Sequence, residues 1–246
     1  KLNVIVNKSK IQDHILDFFG FLWKHYKIRM KITPIHDREF IDEFDKGFFM
    51  YLTSDSSIPR DFIDVFLNSL NELEDEGYLL EITEDHFFII SKTIRGFFNG
   101  VLTFQQLAPS FKATVKREEK KVILDVPTIK IEDWPDLKLR AAHLDLKFQL
   151  HSLDYLKDHI RMLAKYKFNV IVWEWEDKFP FKSRPEIKHK IAFTPEETSE
   201  LMELCEMYGI ESIPLAQTFG HLEFVLKHDK YENLKETREL ESDPND

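Results

Sequence analysis

Residues 152–176 read SLDYLKDHIRMLAKYKFNVIVWEWE. The first sixteen have helical character, and FNVIVWEWE is a strand-like apolar run, so one helix feeds directly into one strand. The same rhythm repeats on both sides. LRAAHLDLK upstream reads as a strand, and TPEETSELMELCEMYG (194–209) as a helix with Thr194 as N-cap, Pro195 at N1 and Glu197 at N3. IESIPLAQT is a third strand, followed by a helical tail expected over about 222–240. Strands alternating with helices of this length predict a parallel sheet built of βα units. The second and third strands are nearly continuous apolar runs, as strands covered on both faces should be.

In each unit polar residues gather at the strand's C-terminal end: Asp145 and Lys147, then Glu174 to Asp177, then Gln217 to His221. Parallel α/β folds build their sites at that rim. Convergence of three such ends favours a binding or active site over three unrelated solvated loop starts.

Composition removes several classes of function. The chain has 246 residues, 43% of them hydrophobic, which is enough for one large or two medium domains with real cores. Its net charge is −10 and no Lys/Arg stripe is present, so nucleic acid is not an expected partner. No run of 18 apolar residues exists, and no membrane association is expected. KLNVIVNKSK at the start has no signal-peptide character, which favours a cytoplasmic location. Cys205 is the single cysteine and reads as a buried structural thiol on a helix. Only 7 glycines occur, and neither a P-loop nor a dinucleotide fingerprint is formed. With no phosphate loop and no paired ligand spacing among the ten histidines, neither a nucleotide cofactor nor a metal is expected.

The first half alternates differently. LNVIV, MKITPIH and FFMYLTS read as strands, IQDHILDFFGFLWKHY (11–26) and PRDFIDVFLNSLNELEDEG (59–77) as helices, the second with Gly77 as its stop. YLLEITEDHFFIIS (78–91) is a hairpin pattern, and 93–108 a closing helix that tolerates two glycines. These make a small α/β domain over 1–108 with three or four strands. Residues 109–135 are charged and β-branched, suiting a connecting hairpin or linker, and 136–246 form the second domain.

Taken together, IEDWPDLKLRAAHLDLK, YLKDHIRMLAKYKFNVIVWEWEDKFPF and GIESIPLAQTFGHLEFVLKH resemble the opening of the barrel of glycoside hydrolase family 20, the exo-β-N-acetylhexosaminidases. HLDLK, WEDKFPF and PLAQTFGHLEFVLKH are closer to its hexosaminidase D branch than to its lysosomal members. GVLTFQQL (100–107) resembles the end of the last helix before the barrel linker. The resemblance implies a small α/β domain followed by the first three βα units of a (β/α)₈ barrel. It also implies removal of terminal β-linked N-acetylglucosamine or N-acetylgalactosamine. The family's mechanism is retaining and substrate-assisted: the sugar's acetamido oxygen attacks the anomeric carbon, an Asp orients it, and a Glu protonates the leaving oxygen.

The family's sugar-binding Arg at the first strand end corresponds to Lys147, a poorer bidentate donor. Asp145 matches the strand Asp, and Glu174 belongs to the same substrate-binding group. His143, two residues before Asp145, faces the same way and is as readily a packing residue. Asp177, or Glu176 as second choice, corresponds to the acid that holds a histidine, and Gly220-His221 to that histidine's motif. His221 would in turn support the acid/base Glu. The family's catalytic Asp-Glu pair is not in these 246 residues, since Asp75-Glu76 falls in the first domain. The chain is therefore expected to be a fragment, inactive alone, that associates with the rest of a barrel or with another copy. Two other readings remain open: a catalytically inactive carbohydrate-binding or assembly module on this scaffold, and a different glycosidase using Glu174 and Glu176 directly as acid and nucleophile.

Overall fold

The computed structural model describes residues 2–6, 30–34, 47–52, 72–84, 86–116, 121–147, 149 and 151–236. The expected helix over 11–26 and residues 59–71 of the next one lie outside them, as does everything after Glu236. The chain divides into two compact units, Lys1–Lys138 and Leu139–Asp246.

The first unit is built on a six-stranded sheet. Its strands are β1 (Leu2–Val6), β2 (Met30–Pro34), β3 (Gly47–Leu52), β4 (Tyr78–Ile82), β5 (His86–Ser91) and β8 (Ile129–Asp133), in the order β2-β1-β3-β5-β4-β8. From β2 to β5 the neighbours run parallel, while β4 is antiparallel to both β5 and β8. Residues 78–91 thus form the expected hairpin. The sheet is larger than the three or four strands expected, because IKIED (129–133) is not linker. It pairs with β4 in the register Leu80↔Ile131 and alternates half-buried and exposed residues, as an edge strand should. Only Lys112–Lys116 (β6) and Lys121–Asp125 (β7) of the connecting segment form the separate antiparallel pair.

Helix α1 (Ile94–Leu107) packs on β4 and β5, with Thr93 as N-cap accepting from the Gly96 amide. Its two glycines allow close approach. A Cβ on Gly96 would lie 2.2 Å from the Gly77 carbonyl oxygen, and one on Gly100 would lie 2.7 Å from Ile89 Cγ2. Phe97, Val101 and Phe104 on the helix and Leu79, Leu80 and Ile89 on the strands are all buried, and the Phe104 ring lies 4.6 Å from that of Phe87. Tyr78 is buried with its hydroxyl satisfied by Thr103 Oγ1 (2.6 Å) and Asp133 Oδ2 (2.8 Å), which ties helix, hairpin and edge strand together. Burial holds its phenol in the protonated form, well above the usual range. Leu73–Gly77 form a turn rather than the last turn of a helix.

The second unit contains three parallel strands: β9 (Ala141–Asp145), β10 (Val170–Glu174) and β11 (Glu211–Leu215), with β10 central. Helix α2 (Leu153–Lys165) starts at Ser152, whose hydroxyl accepts from the Tyr155 amide, and it buries Leu156, Ile160, Leu163 and Ala164. Helix α3 (Pro195–Met207) begins with the predicted capping box: the Thr194 hydroxyl accepts from the Glu197 amide, and the Glu197 carboxylate accepts from the Thr194 amide. The two helices pack on each other, with an ion pair between Lys157 and Glu200.

β10 is buried along nearly its whole length, as expected. β11 is not. Ile213 is 40% exposed and Pro214 is exposed, because β11 hydrogen-bonds to β10 on one side and to no other described strand. The expected tail helix is broken into α4 (Glu223–Leu226) and a 3₁₀ segment, Asp229–Leu234. No helix among the described residues is long and apolar enough to cross a membrane.

Candidate functional site

Parallel register sets the site. Glu174 lies opposite Asp145 on β9 and Leu215 on β11, so all three strands end at one rim. Side chains directly opposite one another share a face, and so do residues two apart on a strand. His143, Asp145 and Glu174 therefore point the same way. Gln217 and Lys147 lie two residues beyond the last pairs of β11 and β9.

Glu174 is the hub. Its side chain is 4% exposed, and one carboxylate oxygen accepts from Lys147 Nζ (3.0 Å) and Gln217 Nε2 (2.6 Å). The other oxygen is 2.8 Å from His143 Nε2. Burial alone would raise the Glu174 pKa, but the hydrogen bonds from Lys147, Gln217 and His143 outweigh it, so the carboxyl stays below the usual range. The Glu174 hydrogen bond in turn raises Lys147. Lys147 is also held by Asp145, whose Oδ1 accepts its backbone amide (3.0 Å) and whose Oδ2 lies 3.4 Å from its ammonium.

Glu176 behaves oppositely. It has a left-handed backbone (φ 45°), is 4.0 Å from Lys147 Nζ, and its buried Oε1 makes no hydrogen bond. Burial raises its pKa, and the charges of Glu174, Asp145 and Asp177 add to this against the pull of Lys147. Asp177 is buried but is not joined to His221. Its Oδ1 accepts from Lys178 Nζ (2.6 Å), and its Oδ2 lies 3.8 Å from Lys227 Nζ. His221 is exposed at φ 55°, next to the fully exposed Phe219, and no contact to Asp177 or Glu176 is formed. The structure thus brings Asp145, Lys147, Glu174 and Glu176 together and leaves His221 apart.

Sequence reasoning assigned no role to Gln217 or Lys178. Gln217 was legible by the same two-residue offset that singles out Lys147. Lys178 carried no signal: a lysine beside two acids reads as solvated, yet it is 5% exposed and donates to both Asp177 and the Lys147 carbonyl (2.9 Å). Trp173 and Trp175 stack on each other, ring centroids 4.9 Å apart and 16° from parallel, and both are buried. They form structure rather than an open sugar platform. A separate open cleft of about 420 Å³ is lined by Phe179, Phe181, Lys182, Pro195 and Thr198. Among the described residues no group of three or more His, Cys, Asp or Glu could hold a metal ion.

The structure defines an α/β chain with an ammonium–carboxylate–amide cluster at the C-terminal rim of a parallel sheet. Comparison with known proteins is specific. Residues 43–134 match the profile of glycosyl hydrolase family 20, domain 2. Human Hexosaminidase D is 37% identical over 100 residues, covering 40% of this chain and 21% of the human protein. Mouse β-hexosaminidase subunit alpha is 30% identical over 157 residues, covering 59% of this chain and 28% of that subunit. In fold, the family 20 β-N-acetylhexosaminidase of Streptomyces coelicolor A3(2) superposes with a TM-score of 0.68 at 19% identity, covering 92% of this chain and 44% of that one. A Streptomyces plicatus β-hexosaminidase variant in complex with its product GlcNAc gives the same score at 19% identity, covering 92% and 43%. These matches place the chain's similarity in glycoside hydrolase family 20, with sequence similarity to hexosaminidase D. It spans between a fifth and a third of the length of these curated relatives.

Proposed function

We propose that this chain is the sugar-binding portion of an exo-β-N-acetylhexosaminidase that releases terminal β-linked N-acetylglucosamine or N-acetylgalactosamine by a retaining, substrate-assisted route. In this reading β9–β11 with α2 and α3 are the opening βα units of a (β/α)₈ barrel. The Lys147 ammonium receives the hydroxyls of the terminal sugar, with Asp145 and Glu174 framing it. Support of an acid/base glutamate by Asp177, Glu176 and His221 belongs to the assembled enzyme, since in this chain Asp177 accepts from Lys178 and His221 is exposed. No cofactor enters: the nucleophile is the substrate's own acetamide.

The observation that carries the proposal is the Lys147–Glu174–Gln217 cluster, drawn from three strand ends and set in a sequence of this family. The exposed length of β11 supports association with further barrel strands or with another copy of the chain. The test is hydrolysis of nitrophenyl N-acetyl-β-hexosaminides by the protein that carries this chain, alongside the isolated 246 residues. Turnover is expected in the first and not in the second. Lys147→Met should cost about 10- to 100-fold in kcat/KM, the value of one hydrogen bond to a charged group. Binding of N-acetylhexosamine without turnover by the whole protein would favour the inactive carbohydrate-binding module. The absence of both binding and turnover would refute the reading.

A further inference from the structure

We propose that Glu174 is a positioning residue rather than a ligand contact, and that it fixes Lys147 and Gln217 as a paired donor and acceptor for two adjacent hydroxyls of the sugar. The assignment of Gln217 to the ligand rests on the function proposed above; the positioning by Glu174 rests on geometry alone.

Four acceptor sites are available on a carboxylate. Glu174 spends three of them on side chains from both neighbouring strand ends: Lys147 and Gln217 on one oxygen, His143 on the other. With its side chain 4% exposed, it has neither the surface nor the lone pairs to bind a hydroxyl well. Its effect is instead geometric. Lys147 and Gln217 lie within 3.0 Å and 2.6 Å of the same oxygen atom, so their polar heads sit side by side although they come from strands on opposite sides of β10.

The two heads are chemically complementary. Lys147 offers N–H donors. The Gln217 amide nitrogen is committed to Glu174, which fixes the flip of the carboxamide and leaves its oxygen as the acceptor. That oxygen has no hydrogen-bond partner among the described residues, and Gln217 is half-buried. A donor beside an oriented acceptor matches a pyranose diol, where one hydroxyl oxygen accepts while the neighbouring hydroxyl donates. This pairing recovers the two-point recognition that a lone ammonium lacks compared with a guanidinium.

Glu174→Gln keeps the shape of the side chain but presents an NH₂ to donors that need an acceptor. Two measurements test the proposal. The first is a double-mutant cycle in kcat/KM on nitrophenyl N-acetyl-β-hexosaminides, using the protein that carries this chain. Glu174→Gln alone should lose about 10- to 100-fold, and in the Lys147→Met background at least about 3-fold less than that, because only Gln217 remains to be positioned. Equal losses in both backgrounds would overturn the proposal and make Glu174 a ligand contact. Gln217→Leu should raise KM more than it lowers kcat; no effect on either would remove Gln217 from the site. The second measurement needs no sugar. The side-chain amide resonances of Gln217 should be distinct and protected in the unmodified protein and collapse toward free values in Glu174→Gln. Amide resonances indifferent to Glu174→Gln would overturn the positioning role. If the protein turns over no hexosaminide, the enzymatic reading fails, and the resonances alone decide what Glu174 holds.

Discussion

Replacing Lys178 by methionine keeps the volume and apolar stem of the side chain and deletes its ammonium. That ammonium joins Asp177 Oδ1 at 2.6 Å to the backbone carbonyl of Lys147 at 2.9 Å, so it staples the loop after β10 to the loop after β9. Both side chains of the pair are nearly out of water, 7% and 12% exposed. Removing one partner of a buried ion pair costs about 3–5 kcal/mol, because the remaining charge is left desolvated. A discount applies here: Lys227 stays 3.8 Å from the other Asp177 oxygen, but its side chain is 52% exposed and well screened. The expected loss is about 3 kcal/mol, or a Tm fall of about 15 °C for a unit of this size.

The assay is denaturant unfolding followed by the fluorescence of the stacked, buried Trp173–Trp175 pair, which lies one turn from Lys178. Asp177→Asn in the Lys178→Met background should recover part of the loss, since it removes the stranded charge. A coupling of at least about 1 kcal/mol is expected. A loss under about 1 kcal/mol for Lys178→Met, or strict additivity of the two changes, would show that the pair is solvated and that the argument from burial is wrong.

Gly96→Ala should destabilise the first unit by about 2 kcal/mol in denaturant unfolding. The usual gain of up to about 1 kcal/mol from Gly to Ala in a helix is outweighed by a Cβ 2.2 Å from the Gly77 carbonyl oxygen and 2.3 Å from Ser91 Oγ; a stabilised variant would refute this. Glu186 accepts from Lys230 Nζ (2.6 Å) and the Tyr231 hydroxyl (2.7 Å), which bring its pKa down to about 2. A depressed carboxylate contributes stability above its unfolded pKa, near 4.3, and loses it as pH falls toward the folded value. Thermal melts from pH 6 to 3 should therefore fall less steeply in Glu186→Gln than in the unmodified protein; coincident slopes would remove Glu186 from the acid response.

What could be read in advance was whatever depends on local chemistry. The Thr194–Glu197 box fixed one helix start because capping groups act on amides two or three residues away, whereas the Ser152 cap, equally local, was not picked out. The convergence of Asp145, Lys147 and Glu174 followed from parallel pairing and a period of two. What stayed hidden depends on partners far along the chain. IKIED looked like linker because its partner, YLLEI, lies some fifty residues away, and alternation in five residues does not identify an edge strand. β11 looked doubly buried because its residues are apolar, whereas burial is decided by neighbours. Past a strand end, period two holds only while the backbone stays extended. The φ of 45° at Glu176 breaks it, so spacing alone does not tell which way Glu176 and Asp177 point.

The three acids of WEWED show how little a carboxylate's identity says about its task. The reading that made Glu174 and Glu176 a nucleophile and acid requires one carboxylate with a free lone pair facing open space. Glu174 is a poor match, since three donors occupy it and only 4% of its side chain is exposed. Glu176 has the raised pKa an acid needs. However, it shares the Lys147 ammonium with Glu174 and comes from the same strand end, whereas displacement at an anomeric carbon needs groups on opposite faces. Asp177 is spent on Lys178. Around one ammonium, then, the first acid orients it, the second lies 4.0 Å away without a hydrogen bond at Oε1, and the third anchors the loop behind it. That division of labour suits a frame that grips a sugar while another group breaks its bond.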